Sequence, residues 1–391
     1  MALVLLALIL AAAVLLQNLL YRKNTFRNLS YRCYFSTPEA YEGDEIELVE
    51  EIVNRKLLPV PWLRSDFTAS KYLDFAGTRS VVTDKERFVV SFFLLKSYHQ
   101  VTRRWKVRCT KRGVFSISRV SLVATDLLGN CILSRNIPVS ASVTVLPDPT
   151  LLEQTEYRVR HLTGDVTVRR HLVSDPFTIS GTREYTERDP LNKIDWLATA
   201  RTRQLMVREY AYTTSPNLAV ILNIQSREFE RDAVLDEENV ENAVRTCAGL
   251  FYETLKTGVP VEFLCNAQLP GADCSVSTKS GFGTEHVVSL LRLLARLPLC
   301  NCEDFSPYLK HTAPHLNCSD LVIVTSFLSD GILAFAREHS EARILLTGFE
   351  EAGAIPDDVP IVVLGGFFRD MASRKRSAAI PKGGNHDGQE I

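Results

Sequence analysis

Residues 180–210 most constrain the fold, because they separate two parts of the chain with different sequence periods. They hold the densest mixture of charged and aromatic side chains in the sequence, with Tyr185, Trp196 and Tyr210 among acids and bases. Before them the chain reads as short strands, and after them strands alternate with helices. A solvated loop needs no Trp, and a core strand would not carry so many charges. We therefore predict a packed junction whose charges neutralise one another.

Length, composition and charge limit the classes of protein to consider. The 391 residues predict two domains, and a hydrophobic content of 46% is enough for a sizeable core. The net charge of −1 argues against a dedicated nucleic-acid binder. The nine cysteines follow no repeating framework, which is typical of reduced thiols in the cytosol.

The N-terminal segment predicts a transmembrane anchor over residues 1–21. The run from Met1 to Leu16 is uninterrupted apolar sequence, and about 20 such residues span a bilayer. Arg22, Lys23 and Arg27 follow the run and no basic residue precedes it. The positive-inside rule then places the soluble part in the cytoplasm, as in a single-pass protein of the cell membrane. A cleaved signal peptide is the rival interpretation, but its basic start and small-residue cleavage site are both missing.

Residues 30–150 predict an antiparallel β-sandwich of immunoglobulin-like type. A turn at Glu42-Gly43-Asp44 precedes alternating apolar residues, and Lys111-Arg112-Gly113 forms a second turn. Further candidate strands are 87–95, 99–109, 114–122 and 142–146. Several short strands with regular turns favour a sandwich, and we find no catalytic residues in it.

The junction, residues 151–216, has two interpretations. In the first it is a recognition surface for a protein partner, with Arg and aromatic residues as anchors. In the second, which we prefer, it is an internal brace with Trp196 packed beneath its ion pairs. There Arg183 and Arg201 pair with Glu184, Asp189 or Asp195. We hypothesise that Asp195 and Arg201 are partners in a buried network that fixes the two domains.

Residues 217–368 alternate between strand and helix, which predicts a mostly parallel sheet covered on both faces. The candidate strands are 217–225, 261–265, 321–325, 343–347 and 359–364. Apolar residues recur at helical spacing in 240–255, 285–297 and 331–340. Residues 369–391 have the composition of a disordered, mildly basic tail.

Four motifs in the junction resemble the signature of the domain of unknown function 58 family. They are Arg183-Glu184-Tyr185, Asp189-Pro190, Ile194-Asp195-Trp196 and Ala200-Arg201. The basic turn before Gly113 and the corner from Asp126 to Gly129 resemble the same family, so that the resemblance covers about residues 30–350. It implies a von Willebrand factor A-like C-terminal domain, and a link to MoxR-type AAA+ ATPases and transglutaminase-like membrane proteins. Members usually carry two N-terminal spans, whereas this chain has one.

The fold that this resemblance implies often binds a divalent metal through an Asp-x-Ser-x-Ser loop after the first strand. The matching positions here are Asn223, Gln225 and Arg227, two amides and a cation. Because Mg²⁺ prefers carboxylate oxygens, we predict a degenerate site with no metal and no cofactor. The place of the later acidic ligand is taken by Thr325-Ser326-Phe327, and Asp330 is predicted to cap the next helix.

Two other constellations are weaker. Cys300, Cys302, His311, His315 and Cys318 are zinc-ligand types, but their spacing and two intervening prolines favour a loop with incidental thiols. Ser226, His286 and Asp304 have the residue types of a catalytic triad, but nothing in the sequence links them.

The leading prediction is a membrane-anchored scaffold or adaptor that binds a protein partner and is not an enzyme, with an AAA+ ATPase as the candidate partner. The alternatives are a metal-dependent adhesion module and an uncharacterised hydrolase. No nucleic-acid partner is expected.

Overall fold

The computed structural model describes residues 2–77, 80–84, 86–126, 129, 132–149, 173–186, 194–213, 217–230, 234–272, 274–316, 318–348, 355–356, 358–366 and 368. Their contacts divide the chain into two units. One comprises Met1–Asp148 and Val288–Leu297, and the other Pro149–Val287 and Pro298–Ile391. The predicted tail, 369–391, and the whole segment 151–172 lie outside the described residues.

The first unit begins with the apolar helix α1 (Ala2–Asn24). Its segment Leu3–Asn24 is long and apolar enough to cross a membrane, and its apolar window is not buried by the rest of the protein. Arg22 and Lys23 form its last turn. The prediction of an N-terminal apolar helix is confirmed.

Ten strands follow in the described residues of the first unit. They are β1 (Leu29–Phe35), β2 (Glu39–Tyr41), β3 (Glu45–Asn54), β4 (Val60–Ser70), β5 (Leu73–Phe75), β6 (Val81–Val82), β7 (Glu86–Leu95), β8 (Gln100–Cys109), β9 (Gly113–Thr125) and β10 (Ile132–Leu146). One sheet has the order β1-β3-β8-β5, and the other has the order β2-β10-β9-β4-β7-β6. All neighbours run antiparallel except β10 and β2.

The two sheets share one hydrophobic core, so the predicted antiparallel sandwich is confirmed. Alternate residues of the strands enter this core, such as Leu48 and Ile52 of β3 and Val89 and Phe93 of β7. Strand β4 contains a proline, Pro61. Pro61 lies where the register with β7 shifts, between Val60 and Leu63, and such a bulge tolerates a proline.

The second unit contains a hairpin, β11 (Val173–Glu184) and β12 (Met206–Thr213), with the short helix α2 (Trp196–Thr202) between the strands. Next along the chain come β13 (Leu218–Leu222), α3 (Glu237–Thr257), β14 (Val261–Gln268), β15 (Ser275–Ser277), α4 (Thr284–Arg296) and α5 (Phe305–Thr312). The part of α4 from Val288 onward belongs to the first unit. The last elements are β16 (Asp320–Thr325), α6 (Asp330–Glu338), β17 (Ala342–Leu346) and β18 (Ile361–Val363).

The large sheet of this unit has the order β15-β14-β13-β16-β17-β18. Five strands are parallel and β15 is an antiparallel edge. Every residue of β13 and β16 is buried, as expected for central strands covered on both faces. The alternation of strand and helix is therefore confirmed. The predicted capping role of Asp330 is wrong, because the side chain of Ser329 accepts from the backbone amide of Ile332.

Candidate functional site

Polar side chains collect at the carboxyl ends of the central parallel strands. Asn223 and Gln225 follow β13, Asn266 lies near the end of β14, and Thr325 ends β16. All four are at most 1% exposed. Strand β13 pairs on one side with β14, the next strand along the chain, and on its other side with β16. Ligands of open parallel sheets bind at such a switch in strand order.

Hydrogen bonds among these side chains close the edge of the sheet. Asn223 Nδ2 donates to Thr325 Oγ1 at 3.1 Å. Asn223 Oδ1 accepts from the backbone N of Gln225 at 3.0 Å and from Asn266 Nδ2 at 3.4 Å. Asn266 Oδ1 accepts from the backbone N of Ile224 at 2.9 Å. The side-chain amide of Asn223 is thus used as a donor and as an acceptor within the protein.

Gln225 joins this network to α5. Its Oε1 accepts from the backbone N of Phe305 at 2.8 Å, and its Nε2 lies 3.3 Å from Asp304 Oδ1. The same Nε2 donates to the backbone O of Glu230 at 3.0 Å. Both ends of the Gln225 amide are therefore occupied by protein partners, which fits a structural role for a buried amide.

The loop after β13 is organised by the carboxylate of Glu230. Ser226 Oγ donates to Glu230 Oε1 at 2.6 Å, and the Ser226 backbone N donates to Oε2 at 2.7 Å. The backbone N of Leu235 adds a third donor at 3.1 Å. Burial opposes ionisation of Glu230, but these bonds, with one from the Arg227 amide, stabilise the carboxylate and lower its pKa. Glu230 holds its charge inside the loop.

The residues at this edge do not fit a divalent cation. The oxygens of Asn223 and Gln225 already accept protein N–H donors, and the Glu230 carboxylate is filled by Ser226 and backbone amides. The Arg227 side chain is exposed. Within the described ranges, no group of three or more His, Cys, Asp or Glu residues could hold a metal ion. We assign no chemistry to a metal here.

The Cys/His segment is spread over different contacts. Cys302 Sγ donates to the backbone O of Asn266 at 3.1 Å, and His311 Nδ1 lies 2.9 Å from Glu303 Oε1. Burial raises the pKa of Cys318 to about 11, which disfavours the thiolate that binds zinc. Cys300 is half-buried and a free thiol. The side chain of His315 lies outside the described residues.

The three residues of the candidate catalytic triad have different hydrogen-bond partners. Ser226 Oγ donates to Glu230, His286 Nε2 lies 2.9 Å from the backbone O of Val261, and Asp304 Oδ1 accepts from Gln225. These bonds give no nucleophile–base–acid relay through Ser226.

The signature residues form a second site, on the hairpin. Asp195 is the N-cap of α2, and its Oδ1 accepts from the backbone N of Leu197 at 3.0 Å and of Ala198 at 3.1 Å. Its Oδ2 lies 3.4 Å from Arg208 Nε on β12. The Ala198 amide first, then the Leu197 amide and Arg208, stabilise the carboxylate against partial desolvation and lower the pKa of Asp195. One carboxylate thus starts the helix and ties it to the hairpin.

Trp196 is not packed beneath this cluster, and that part of the brace hypothesis is wrong. Its side chain is 67% exposed, and the adjacent Leu197 is 66% exposed. Helix α2 has no buried residue. Ile194 is the apolar residue that enters the protein, where it bridges Val207. The Asp195–Arg201 pairing is also wrong: Asp195 pairs with Arg208, and Arg201 lies exposed in the last turn of α2.

The remaining signature residues lie on or beside β11. Arg183 and Glu184 are exposed and pair in register with Val207 and Met206. Half-buried Tyr185 donates its backbone N–H to the O of Leu205 at 2.8 Å. Asp189 lies outside the described residues.

Two functional residues were missed by sequence reasoning, Asn266 and Arg208. Asn266 donates a hydrogen bond to Asn223, which lies 43 residues earlier in the sequence. A polar residue inside the apolar run of β14 was its only signal. The sequence signal for Arg208 is its charge and its place. It is a cation near the start of β12, the strand that follows the helix capped by Asp195.

Comparison with known proteins supports a family. Residues 181–346 match the model of a family described as Protein of unknown function DUF58. No curated protein matches the chain.

Three of the solved structures that resemble the chain have low TM-scores. A non-cellulosomal cohesin from Archaeoglobus fulgidus is 15% identical, covers 34% of this chain and 98% of that chain, and has a TM-score of 0.23. A type I cohesin–dockerin complex from Clostridium thermocellum is 12% identical, covers 30% and 99%, and has a TM-score of 0.21. The sporulation control protein Spo0M from Bacillus subtilis is 10% identical, covers 34% and 56%, and has a TM-score of 0.19. Similarities this low carry no functional conclusion.

Proposed function

We propose, from the match of residues 181–346 that supports a DUF58 family protein, that this chain is a membrane-anchored scaffold or adaptor without catalytic activity. Helix α1 anchors it as a single-pass protein of the cell membrane. Arg22 and Lys23 after the apolar run favour a cytoplasmic location for the soluble units. The mostly parallel sheet of the second unit, with its antiparallel edge strand, supports the further proposal of a von Willebrand factor A-like domain.

The exposed face of α2 is the observation that carries this proposal. Trp196 and Leu197 are two large apolar side chains, adjacent in the first turn, on a helix that buries none of its residues. Exposed Trp is costly to leave in water and is enriched among the anchors of protein–protein interfaces. Arg201 on the same helix supplies a charged neighbour of the kind found in such anchors.

The local structure holds this face in place before any partner binds. The Asp195 cap fixes the first turn, and the backbone N of Met206 donates to Thr199 Oγ1 at 3.0 Å. Arg203 ends the helix with φ 61°, and its N–H donates to the backbone O of Thr199. A preformed anchor loses less conformational entropy on binding than a disordered one.

The partner we propose is a MoxR-type AAA+ ATPase. The family resemblance of the motifs from Arg183 to Arg201 supports this choice of partner. To bind α2, the ATPase needs a groove that accepts an indole beside an acidic group. The closed amide network at Asn223 and Gln225 is in this account a structural element of the sheet edge.

A photo-crosslinking experiment tests the partner. A benzoylphenylalanine in place of Trp196 in the full chain, irradiated in membranes, is expected to crosslink to the AAA+ ATPase of the same cell. The same label at Phe282, a side chain that is 74% exposed and lies far along the sequence from α2, is the matched control. Equal crosslinking at both positions, or none to the ATPase at position 196, would contradict the proposal.

A further inference from the structure

The end of the sandwich that receives α1 is hydrogen-bonded to the last turns of that helix. Tyr21 Oη donates to the backbone O of Pro59 at 3.1 Å, and Gln17 Nε2 lies 3.5 Å from Asp126 Oδ2. Asp126 directly follows β9. The start of β4 and the end of β9 therefore lie beside the segment from Gln17 to Tyr21.

Both contact residues on the helix lie inside the candidate span, Leu3–Asn24. Its 22 residues measure about 33 Å at 1.5 Å per residue, close to the hydrocarbon thickness of about 30 Å. A bilayer crossed by this span extends close to the level of Gln17 and Tyr21. The sandwich surface that touches these residues must then meet the headgroup layer.

That surface has a row of residues across three strands with an exposed, large apolar side chain at each end. Trp62 on β4 pairs with Thr125 on β9, and Thr125 pairs on its other side with Ile132 on β10. Trp62 is 62% exposed and Ile132 is 71% exposed. Three further exposed side chains lie on the neighbouring strand end and loops: Leu57, Leu94 and Tyr98.

Loop contacts hold these side chains at the same end. The backbone N of Tyr98 donates to the O of Lys56 at 3.1 Å, and Lys56 Nζ donates to the O of Thr25, just after α1, at 2.8 Å. Asn54 Nδ2 bridges the backbone O of Leu58 and of Lys96. The loops at residues 55–59 and 96–99 are thus tied to each other and to the end of the helix.

Exposed cations surround the apolar row: Arg22, Lys23, Arg55, Lys96 and Arg135. The guanidinium of Arg135 lies 3.5 Å from the backbone O of Phe26, which places it beside the helix exit. Indole and phenol rings favour the headgroup layer, and Lys and Arg favour lipid phosphates. Aromatic and basic residues therefore occur together on the sandwich surface that lies beside the bilayer when α1 spans it.

We propose that this rim, comprising Leu57, Trp62, Leu94, Tyr98 and Ile132, lies in the headgroup layer of a phospholipid bilayer. The surrounding basic side chains contact lipid phosphates. The rim holds the sandwich against the membrane surface, so that α1 is not a free tether. This inference rests on the proposed anchoring by α1 and adds a second membrane contact to it.

Depth-dependent quenching of Trp62 tests the rim. The full-length W196F chain, reconstituted into vesicles of phosphatidylcholine and phosphatidylglycerol, keeps Trp62 and Trp105. Acyl chains brominated near the carbonyl are expected to quench most of the Trp62 emission. The W62F/W196F chain gives the Trp105 signal to subtract, and flotation of the vesicles measures anchoring separately.

The matched control places a Trp at the other end of the same sheet. Val114 is exposed on β9, eleven residues from Thr125, or about 36 Å at 3.3 Å per residue. V114W in the W62F/W196F chain is expected to stay unquenched. Unquenched Trp62 in floated vesicles, or equal quenching at both positions, would overturn the rim but leave the anchor. A chain that does not float would overturn the anchor and the rim together.

Discussion

The carboxylate of Asp195 lies 3.4 Å from Arg208 Nε, while two backbone amides of α2 donate to its other oxygen. The charge that starts the helix therefore also joins it to β12, so that one side chain makes three contacts. This relationship sets the orientation in which Trp196 and Leu197 are exposed.

Removing this carboxylate should loosen α2 without unfolding the unit. D195A loses the cap and the Arg208 contact, so the amides of Leu197 and Ala198 should exchange hydrogen faster. D195N keeps a capping oxygen and should show a smaller effect. Hydrogen exchange followed by mass spectrometry reads the α2 peptide directly. Equal protection in D195A and the native chain would contradict the assigned role.

The lowered pKa of Asp195 predicts a pH dependence of the same helix. A carboxyl whose folded pKa lies below its unfolded value contributes stability above the unfolded value, and loses it as pH falls through the folded pKa. Protection of α2, corrected for intrinsic exchange, should therefore decrease on acidification below about pH 4. The D195N chain, which has no titrating group there, should lack this decrease. An identical decrease in both chains would assign it to another carboxyl.

The sandwich core contains a buried carboxylate that predicts a large mutational effect. Glu50 is fully buried and accepts from four side chains, at 2.7 to 2.9 Å: Tyr31, Ser65, Ser91 and Trp105. E50A leaves these donors unsatisfied and should lower the free energy of unfolding by about 3 kcal/mol or more. E50Q keeps one acceptor oxygen but turns an amide toward donors, and should fall between E50A and the native chain.

Chemical denaturation of the full chain in detergent micelles measures this effect. The control is E51Q, because the neighbouring Glu51 points away from the core and bonds the exposed Tyr34. We expect E51Q to change the free energy of unfolding by less than about 0.5 kcal/mol. Similar losses in E50A and E51Q would show that the buried network is not the cause.

The amide network at the sheet edge predicts indifference to divalent cations. Because the oxygens of Asn223 and Gln225 accept protein donors, millimolar Mg²⁺ or a chelator should leave the melting temperature unchanged within about 1 °C. N223D removes the donor to Thr325 and buries a charge, and should lower stability by about 1–3 kcal/mol. A saturable Mg²⁺-dependent rise in the native chain would contradict the closed network.

Local patterns were sufficient to predict most elements. The alternation in β7 places Val89, Ser91, Phe93 and Leu95 inside and their neighbours outside, as a period of two requires. The run of apolar residues in β13 and β16 indicated central parallel strands in the same way. The same alternation in β3 places Glu50 with Leu48 and Ile52 on the inward face, which is the sequence signal for this buried side chain.

Contacts between distant residues were not predictable from one sequence. Asn266 reaches Asn223 because β13 and β14 pair with Leu222 opposite Cys265, a register that no local pattern encodes. The sequence predicted Arg201 as the partner of Asp195 because both occur with Trp196 in an apolar local setting. Hairpin pairing brings Arg208 closer instead. Hydrophobicity favoured burial of Trp196, but its place in the first turn of α2 leaves the indole in solvent.

Direct binding to a purified MoxR-type AAA+ ATPase tests the central claim, that the exposed face of α2 is a docking surface. The full chain in nanodiscs is titrated with the ATPase, and the dissociation constants of the native, W196A and F282A chains are compared. Loss of an anchoring Trp costs about 2 kcal/mol or more, so W196A should weaken binding at least about 30-fold while F282A matches the native chain. Native affinity in W196A, or equal weakening in W196A and F282A, would contradict the account.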